Sequence, residues 1–225
     1  MSATRTAGLR TAGLRTAGLR TAGLRTALST VPLVLAALGT AVAPAEAASH
    51  RPVTSLTCQG RGVDPAAQVR YRTETLIHAP LRTVWKVQTD VQHWPSWQAA
   101  VTTAERLDHG PLRSGSAFRW TTPVPPNPTP ASELDITSTV RQLRHHSCIR
   151  WTGPAVGEGL RIDGVHVWTF VPAEGGVLVR TEETHTGAQV DADVPAATAL
   201  LRQGLEAWLL DLKTAAEARA GGRHH

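Results

Sequence analysis

The sequence predicts an α+β fold in which a curved seven-stranded antiparallel sheet surrounds one long C-terminal helix. Seven segments between Val69 and Thr186 have the alternation or composition of strands, and only two short helical segments interrupt them. A final segment, from about Pro195 to Arg219, has helical periodicity with one apolar stripe. Such a stripe must be buried, and the sheet is the only large surface available, so we expect the helix to pack on it.

The first strand and the two short helices follow from local patterns. Every second residue of Val69–Ile77 is apolar, aromatic or β-branched, which is typical of a strand. A helix begins after Pro80, because proline suits a first turn, and its buried side includes Val84-Trp85. A second short helix is expected over Asp90–Trp97, and Pro95 ends or bends it.

Six further strands complete the predicted sheet. They are expected over Val101–Leu107, Ser116–Thr121, Glu133–Leu143, Cys148–Gly153, Gly164–Pro172 and Gly176–Thr186. A proline-rich segment, Pro123–Pro130, separates the second of these from the third. Proline cannot donate a hydrogen bond inside a sheet, so we expect this segment to be a surface connector.

The long C-terminal helix has clear ends and a clear buried side. Asp193 precedes it as a candidate N-cap, and Gly221-Gly222 follows it. Its apolar stripe consists of Leu201, Leu205, Trp208 and Leu212, and burying these four side chains contributes roughly 6–12 kcal/mol. Gly204 interrupts the helix, and it either leaves room for a ligand or packs closely against a strand.

The first 47 residues are predicted to be a secretory signal peptide. Four Arg-Thr-Ala-Gly-Leu repeats form a basic region, an apolar stretch follows over Ala27–Ala43, and Ala45–Ala47 fits a small-residue cleavage site. We therefore expect export by the Sec route with cleavage near Ala47, a secreted product and no stable membrane span after cleavage. The alternative is a protein that keeps an N-terminal membrane anchor and faces outward.

The rest of the chain is expected to form a flexible lead-in over residues 48–69, one ligand-binding domain over 70–220 and a tail over 221–225. Its two cysteines, Cys58 and Cys148, either form a disulfide in an oxidising compartment or remain separate thiols. The sequence alone leaves both alternatives open.

The charge of the chain argues against a nucleic-acid partner. The formal net charge is +5, but residues 1–47 hold five of the 23 basic residues and one of the 18 acidic ones. The remaining body therefore carries 18 basic and 17 acidic residues. It lacks the excess of cations that binding to a phosphate backbone requires.

Three groups of segments resemble the SRPBCC (START/Bet v 1-like) superfamily, and they are most similar to its polyketide cyclase/dehydrase-type branch. The segments are Ile77–Pro80 with Val84-Trp85 and Asp90–Trp97; Ser114–Trp120 with Ile149–Gly153; and His166–Phe170 with Gly175-Gly176, Arg180–Glu183 and Gly187. The resemblance spans about residues 70–218. It implies a helix-grip fold with an apolar cavity for a hydrophobic small molecule between sheet and helix. It does not fix one chemistry, because such folds serve as carriers and as enzymes.

The last predicted hairpin places His166 and Glu183 on one face. A turn at Glu174-Gly175 pairs these two residues directly, whereas a turn at Gly175-Gly176 pairs His166 with His185. In either register Trp168 shares their face, which should point inward. The pair is a candidate for orienting a ligand, for acid–base catalysis of a cyclisation or dehydration, or for a structural contact.

The predicted ligand-binding residues combine this pair with aromatic side chains. The full set is Trp97, Trp120, Trp151, His166, Trp168, Glu183, Gly204 and Trp208, although core filling equally explains Trp208. We expect no cofactor, because no phosphate loop or dinucleotide motif is present. We expect no metal, because His145-His146 would point to opposite faces of a strand.

These observations predict an exported protein that binds a hydrophobic small molecule, lipid or polyketide-like, in an internal cavity. One alternative is a polyketide cyclase/aromatase-type dehydratase that uses His166 and Glu183. A second alternative is a protein-interaction module. The identity of the ligand and the oligomeric state are left open.

Overall fold

The computed structural model of the protein describes residues 54–123 and 133–222. The predicted signal peptide and its cleavage site, most of the proline-rich connector and the last three residues of the tail lie outside these residues.

One seven-stranded antiparallel sheet and one long helix dominate the described residues. The strands are β1 (Val69–Ile77), β2 (Thr103–Arg106), β3 (Ala117–Pro123), β4 (Glu133–Arg144), β5 (Cys148–Gly157), β6 (Leu160–Ala173) and β7 (Gly176–Thr186). The helices are α1 (Leu81–Thr89), α2 (Ala188–Ala192) and α3 (Val194–Gly221), and a 3₁₀ helix (Val91–Ser96) follows α1. The strand order β1-β7-β6-β5-β4-β3-β2 places the first strand beside the last. The predicted helix-grip α+β fold is therefore confirmed.

The elements differ from the prediction mainly in the middle of the sheet. The β5–β6 hairpin is longer than expected, because β5 continues to Gly157 and β6 begins at Leu160. Pro154 lies within β5 and pairs with Asp163. Glycine and proline lower strand propensity locally, but pairing between two neighbouring strands overrides that preference. The short helix α2 was not expected.

Helix α3 packs on one side of the sheet, which we call the inner face. Its C-terminal half contributes Trp208, Leu209 and Leu212 to the main core. Its N-terminal half packs Leu201 and Leu205 against a second cluster near the start of β1. The Asp193 carboxylate accepts a hydrogen bond from the Ala196 backbone N–H at 3.1 Å, so the predicted N-cap is confirmed.

Residues 54–68 cover part of the opposite, outer face of the sheet, and we call them the N-terminal strap. Leu56, Cys58 and Val63 are buried against Val167 and Cys148. This part of the predicted lead-in therefore contacts the sheet through buried side chains. The strap is polar in composition, but three apolar side chains at irregular spacing are enough to attach it to the sheet.

A disulfide and a buried carboxylate hold the strap in place. Cys58 and Cys148 are joined, with their Cα atoms 5.4 Å apart, which resolves the alternative that the sequence left open. Glu182 on β7 is only 2% exposed. Its carboxylate accepts hydrogen bonds from the Leu56 backbone N–H at 2.6 Å and from the Arg70 guanidinium. The strap is thus fixed both covalently and electrostatically.

Candidate functional site

The inner face carries a cluster of tryptophans centred on Trp94. This residue lies in the 3₁₀ helix and is fully buried. Its ring centroid is 5.0 Å from that of Trp208 and 5.8 Å from that of Trp120, both in edge-on geometry. Trp151 lies 6.1 Å away. Edge-on contacts of this kind are favourable because the positive edge of one ring meets the negative face of another.

The fold brings together the five tryptophans that the sequence analysis selected. Trp208 of α3 lies 6.2 Å from Trp97, 5.5 Å from Trp120 and 6.3 Å from Trp168, measured between ring centroids. Strand alternation explains this convergence, since residues at every second position of β3, β5 and β6 point toward α3. The central residue of the cluster, Trp94, was missed. The only signal for it was its place in a segment predicted to be helical.

Burial divides the cluster into an interior and a margin. Trp94 and Trp168 are fully buried, and Trp151 and Trp208 are nearly so. Trp97 and Trp120 are half-buried. The half-buried pair therefore occupies the side of the cluster that reaches solvent. Whether these rings contact a ligand stays a prediction.

A buried glutamine on α1 accepts hydrogen bonds from two of these indole rings. The sequence analysis did not select it as a site residue. Gln88 is fully buried. Its backbone carbonyl accepts from Trp94 Nε1 at 2.9 Å, and its side-chain Oε1 accepts from Trp208 Nε1 at 3.1 Å. A polar side chain on the apolar side of a predicted helix is the sequence signal that could have identified it.

Three buried N–H donors on Gln88 and the tryptophan cluster have no hydrogen-bond partner among the described residues. They are Gln88 Nε2, Trp97 Nε1 and Trp168 Nε1. All three residues are neighbours of Trp208. Leaving a buried donor unpaired costs about 1–3 kcal/mol. The interior thus offers hydrogen bonds that the protein does not itself accept.

The β6–β7 hairpin turns at Glu174-Gly175, so Ala173 pairs with Gly176 and His166 pairs with Glu183. This is the first of the two registers that the sequence allowed. The turn glycine Gly175 has a φ of 76°, a backbone conformation that suits glycine. The predicted proximity of His166 and Glu183 is therefore observed.

His166 and Glu183 belong to a group of four polar side chains on the inner face. His166 Nδ1 lies 3.2 Å from Glu183 Oε2, and His185 Nε2 lies 3.3 Å from Glu183 Oε1. The other imidazole nitrogen of His166, Nε2, is 2.6 Å from Thr181 Oγ1. His185 and Thr181 were not among the predicted site residues. They follow from the register, because alternate residues of β7 share the inner face.

Burial and the neighbouring side chains together determine the protonation of this group. Burial lowers the pKa of His166 to about 4, although the Glu183 carboxylate opposes this effect. Burial raises the pKa of Glu183, but the two imidazoles outweigh it and hold that pKa below its ordinary value. At neutral pH a neutral His166 therefore faces an ionised Glu183. The tautomer that fits all contacts has its proton on Nδ1, toward Glu183, and accepts from the Thr181 hydroxyl at Nε2.

This arrangement leaves Glu183 as the more available group. Both ring nitrogens of His166 already have partners, and its side chain is 7% exposed. The Glu183 side chain is 17% exposed, and each of its oxygens faces only one imidazole. A carboxylate oxygen has two lone pairs, so Glu183 can also accept a hydrogen bond from a bound hydroxyl.

Two further predicted features take a different form in the structure. Gly204 is exposed on α3, and a Cβ placed there would meet no atom within 4 Å, so close packing against a strand is excluded. His145 and His146 lie in the β4–β5 turn rather than on a strand, with ring centroids 3.9 Å apart and both beside Trp85. The described residues contain no group of three or more His, Cys, Asp or Glu side chains arranged to hold a metal.

A family model described as "Polyketide cyclase / dehydrase and lipid transport" matches residues 68–217. The chain belongs to this family. Its membership of the SRPBCC superfamily, which the sequence motifs predicted, is thereby confirmed. No curated protein matches the chain in sequence.

Solved structures share the fold at low sequence identity. The chain superimposes on the protein TTHA0849 from Thermus thermophilus with a TM-score of 0.53 and 17% identity, covering 67% of this chain and 99% of that one. The Zhui aromatase/cyclase from Streptomyces sp. R1128 gives 0.51 and 14%, covering 67% and 94%. Protein CV1439 from Chromobacterium violaceum gives 0.51 and 16%, covering 66% and 97%. These similarities establish the fold alone.

Among residues 54–123 and 133–222, no helix has both the length and the apolar character that crossing a membrane requires.

Proposed function

We propose that the protein is exported and binds a hydrophobic small molecule, lipid or polyketide-like, between the inner face of the sheet and α3. The observation that carries this proposal is the set of three unpartnered N–H donors on Gln88, Trp97 and Trp168 within an aromatic interior. A bound molecule with acceptor oxygens would satisfy them. The family description, which includes lipid transport, supports the same function.

The residues of the site define the chemistry of such a ligand. Flat aromatic walls favour rings or long apolar chains. The unpartnered donors favour carbonyl, ether or ester oxygens. Glu183 favours a hydroxyl group on the ligand, because an ionised carboxylate can only accept hydrogen bonds. The ligand class that fits all three is an apolar, oxygenated molecule with both acceptor oxygens and a hydroxyl group.

Export is supported by two independent features. The basic, apolar and small-residue regions before Ala47 have the order of a secretory signal. The Cys58–Cys148 disulfide is of the kind that persists in oxidising compartments and is rare in the cytosol. Secreted protein that begins near Ala48 by N-terminal sequencing supports export, whereas secreted protein that begins at Met1 contradicts a cleaved signal.

A second candidate function is a cyclase or dehydratase, and the His166–Glu183 contact favours it. In such a reaction Glu183 would remove a proton from a carbon atom of the substrate. A protonated group would donate a proton to the leaving hydroxyl group, which departs as water. The contact between His166 and Thr181 opposes this candidate, because it occupies the nitrogen that would have to exchange a proton. Binding without turnover therefore fits the geometry better.

The test is to purify the protein as its host secretes it, denature it and analyse the extract by mass spectrometry. We expect an apolar, oxygenated compound in near-stoichiometric amount. A protein that is folded by circular dichroism but empty would contradict the carrier function and favour an enzyme that releases its product, or an interaction module. The recovered compound is then incubated with the parent, His166→Ala and Glu183→Gln proteins. Turnover by the parent that both variants lose would establish the enzyme instead.

A further inference from the structure

A pocket that is separate from the tryptophan cluster lies on the surface between α1, the 3₁₀ helix and the C-terminal end of α3. Its volume is about 610 Å³, and its lining residues are Arg82, Thr83, Lys86, Val87, Asp90, His93, Arg219 and Gly222. None of these residues belongs to the tryptophan cluster. On α1, Arg82 and Lys86 lie on the exposed side, whereas Thr83 and Val87 are buried like Gln88 and Trp85.

The pocket has an excess of positive charge. Arg82, Lys86 and Arg219 are exposed, and none of their side chains forms a hydrogen bond or ion pair with any described residue. Asp90 is the single carboxylate among the lining residues, and its Oδ1 is 2.8 Å from His93 Nδ1. Three cations therefore converge on a concave surface with one carboxylate, which already has a partner.

The positions of these cations are only partly explained by the helices that carry them. Lys86 and Arg219 lie in the last turns of α1 and α3, where the helix dipole favours positive charge. Arg82 lies in the first turn of α1, where the dipole disfavours it. Arg82 and Lys86 are also four residues apart, a spacing at which like charges repel. A bound anion would offset both unfavourable effects.

We propose that this pocket binds the phosphate group of a phosphate ester. Two guanidinium groups can each donate paired hydrogen bonds to a tetrahedral oxyanion, and the lysine adds a third cation. The volume exceeds that of a phosphate ion, so the site has room for the organic part of an ester beside the phosphate group. A soluble phosphate ester and the headgroup of an anionic phospholipid share this chemistry.

The first test is an NMR titration of the ¹⁵N-labelled protein with glycerol 3-phosphate. We expect saturable shifts of the backbone amides of residues 82–93 and 219–222. The double variant Arg82→Gln/Arg219→Gln should bind at least tenfold more weakly. Its matched control is Arg144→Gln/Arg202→Gln, which removes the same charge at exposed positions outside the pocket and should bind like the parent. Absence of saturable shifts in the parent, or equal weakening in both variants, would overturn the proposal.

The second test distinguishes the two sources of phosphate. Vesicles of phosphatidylcholine, with and without phosphatidylglycerol, are sedimented with the same three proteins. Binding to the anionic vesicles that glycerol 3-phosphate competes away, and that only the pocket variant loses, assigns the site to a lipid headgroup. Binding of glycerol 3-phosphate without sedimentation assigns it to a soluble ester. Both results are independent of whether the tryptophan cluster holds a ligand.

Discussion

Two neighbouring carboxylates, one on each face of the sheet, differ in their exposure and in their hydrogen-bond partners. Glu182 and Glu183 are adjacent on β7 and point to opposite sides. On the outer face, Glu182 has a 3% exposed side chain and accepts from Leu56, Ser55 and Arg70. On the inner face, Glu183 is 17% exposed and faces two imidazoles in a region where other donors remain unpaired.

This difference separates structural polar groups from candidate functional ones. A carboxylate whose lone pairs are filled by the protein stabilises the fold and has nothing left for a ligand. A carboxylate with free lone pairs, beside unpartnered donors, can still accept hydrogen bonds from a bound molecule. On the outer face, the Glu182 carboxylate therefore serves to hold the strap on the sheet. The candidate site lies on the inner face. Four predictions test that contrast.

Removing the disulfide should have the largest effect on stability. The bridge closes a loop with a sequence separation of 90 residues. The double variant Cys58→Ala/Cys148→Ala should therefore lose about 4–5 kcal/mol of unfolding free energy, mainly because the unfolded chain gains freedom. Urea unfolding measures this loss, and a reductant should destabilise the parent but not the variant. A loss below about 1 kcal/mol would contradict the structural role of the strap.

Acidification should destabilise the inner face through His166. Its pKa is about 4 when folded and 6.5 when unfolded, so the unfolded state binds more protons between these values. Stability is therefore lost as the pH falls from about 6.5 to 4, by about 3 kcal/mol from this group. The loss should be smaller in His166→Gln when unfolding is followed by urea across that range. His109→Gln, at an exposed position, is the control and should behave like the parent; equal pH profiles for all three proteins would contradict the burial of a neutral His166.

The substitution Glu182→Gln should lower the unfolding free energy by about 2 kcal/mol, because it removes a buried charge partner of Arg70 and weakens two contacts to the strap. The matched substitution is Glu183→Gln on the adjacent residue. Urea unfolding of both variants gives the comparison. A larger loss of stability in Glu183→Gln than in Glu182→Gln would contradict the structural role of Glu182 and the ligand-binding role of Glu183.

The smallest expected effect on stability, under about 1 kcal/mol, is that of Glu183→Gln, because an amide still accepts a hydrogen bond at this partly exposed position. Its effect on the ligand should be larger. We expect the variant secreted by the host to retain several-fold less of the co-purifying compound than the parent, whereas Glu182→Gln should retain the parental amount. Mass spectrometry of the extracts measures both, and equal retention in all three proteins would remove Glu183 from the site.

Features set by local sequence were predicted well. The alternation of β7, the stripe of α3 and the Asp193 cap each depend on a few neighbouring residues, and the structure has all three. The sequence allowed two registers for the last hairpin, because its two-residue turn could lie at Glu174-Gly175 or at Gly175-Gly176. The fold class followed from the order of these elements.

Features set by distant contacts were not predictable in the same way. The partners of the strap lie about 90 to 130 residues away along the chain, as in the Cys58–Cys148 bridge and the Leu56–Glu182 hydrogen bond. No local pattern records such a pairing. The contact between Gln88 and Trp208 is of the same kind. The tryptophans could be selected as a set, but the centre of their cluster and its unpartnered donors required the structure.

The central claim is that the unpartnered donors of the inner face serve a ligand, and the indole N–H resonances test it most directly. Spectra of ¹⁵N-labelled protein are compared as the host secretes it and after the bound compound has been stripped. We predict that the Trp97 and Trp168 resonances shift between the two forms. The Trp94 resonance should not shift, because Gln88 already accepts its proton. Identical Trp97 and Trp168 resonances in loaded and stripped protein would contradict the claim.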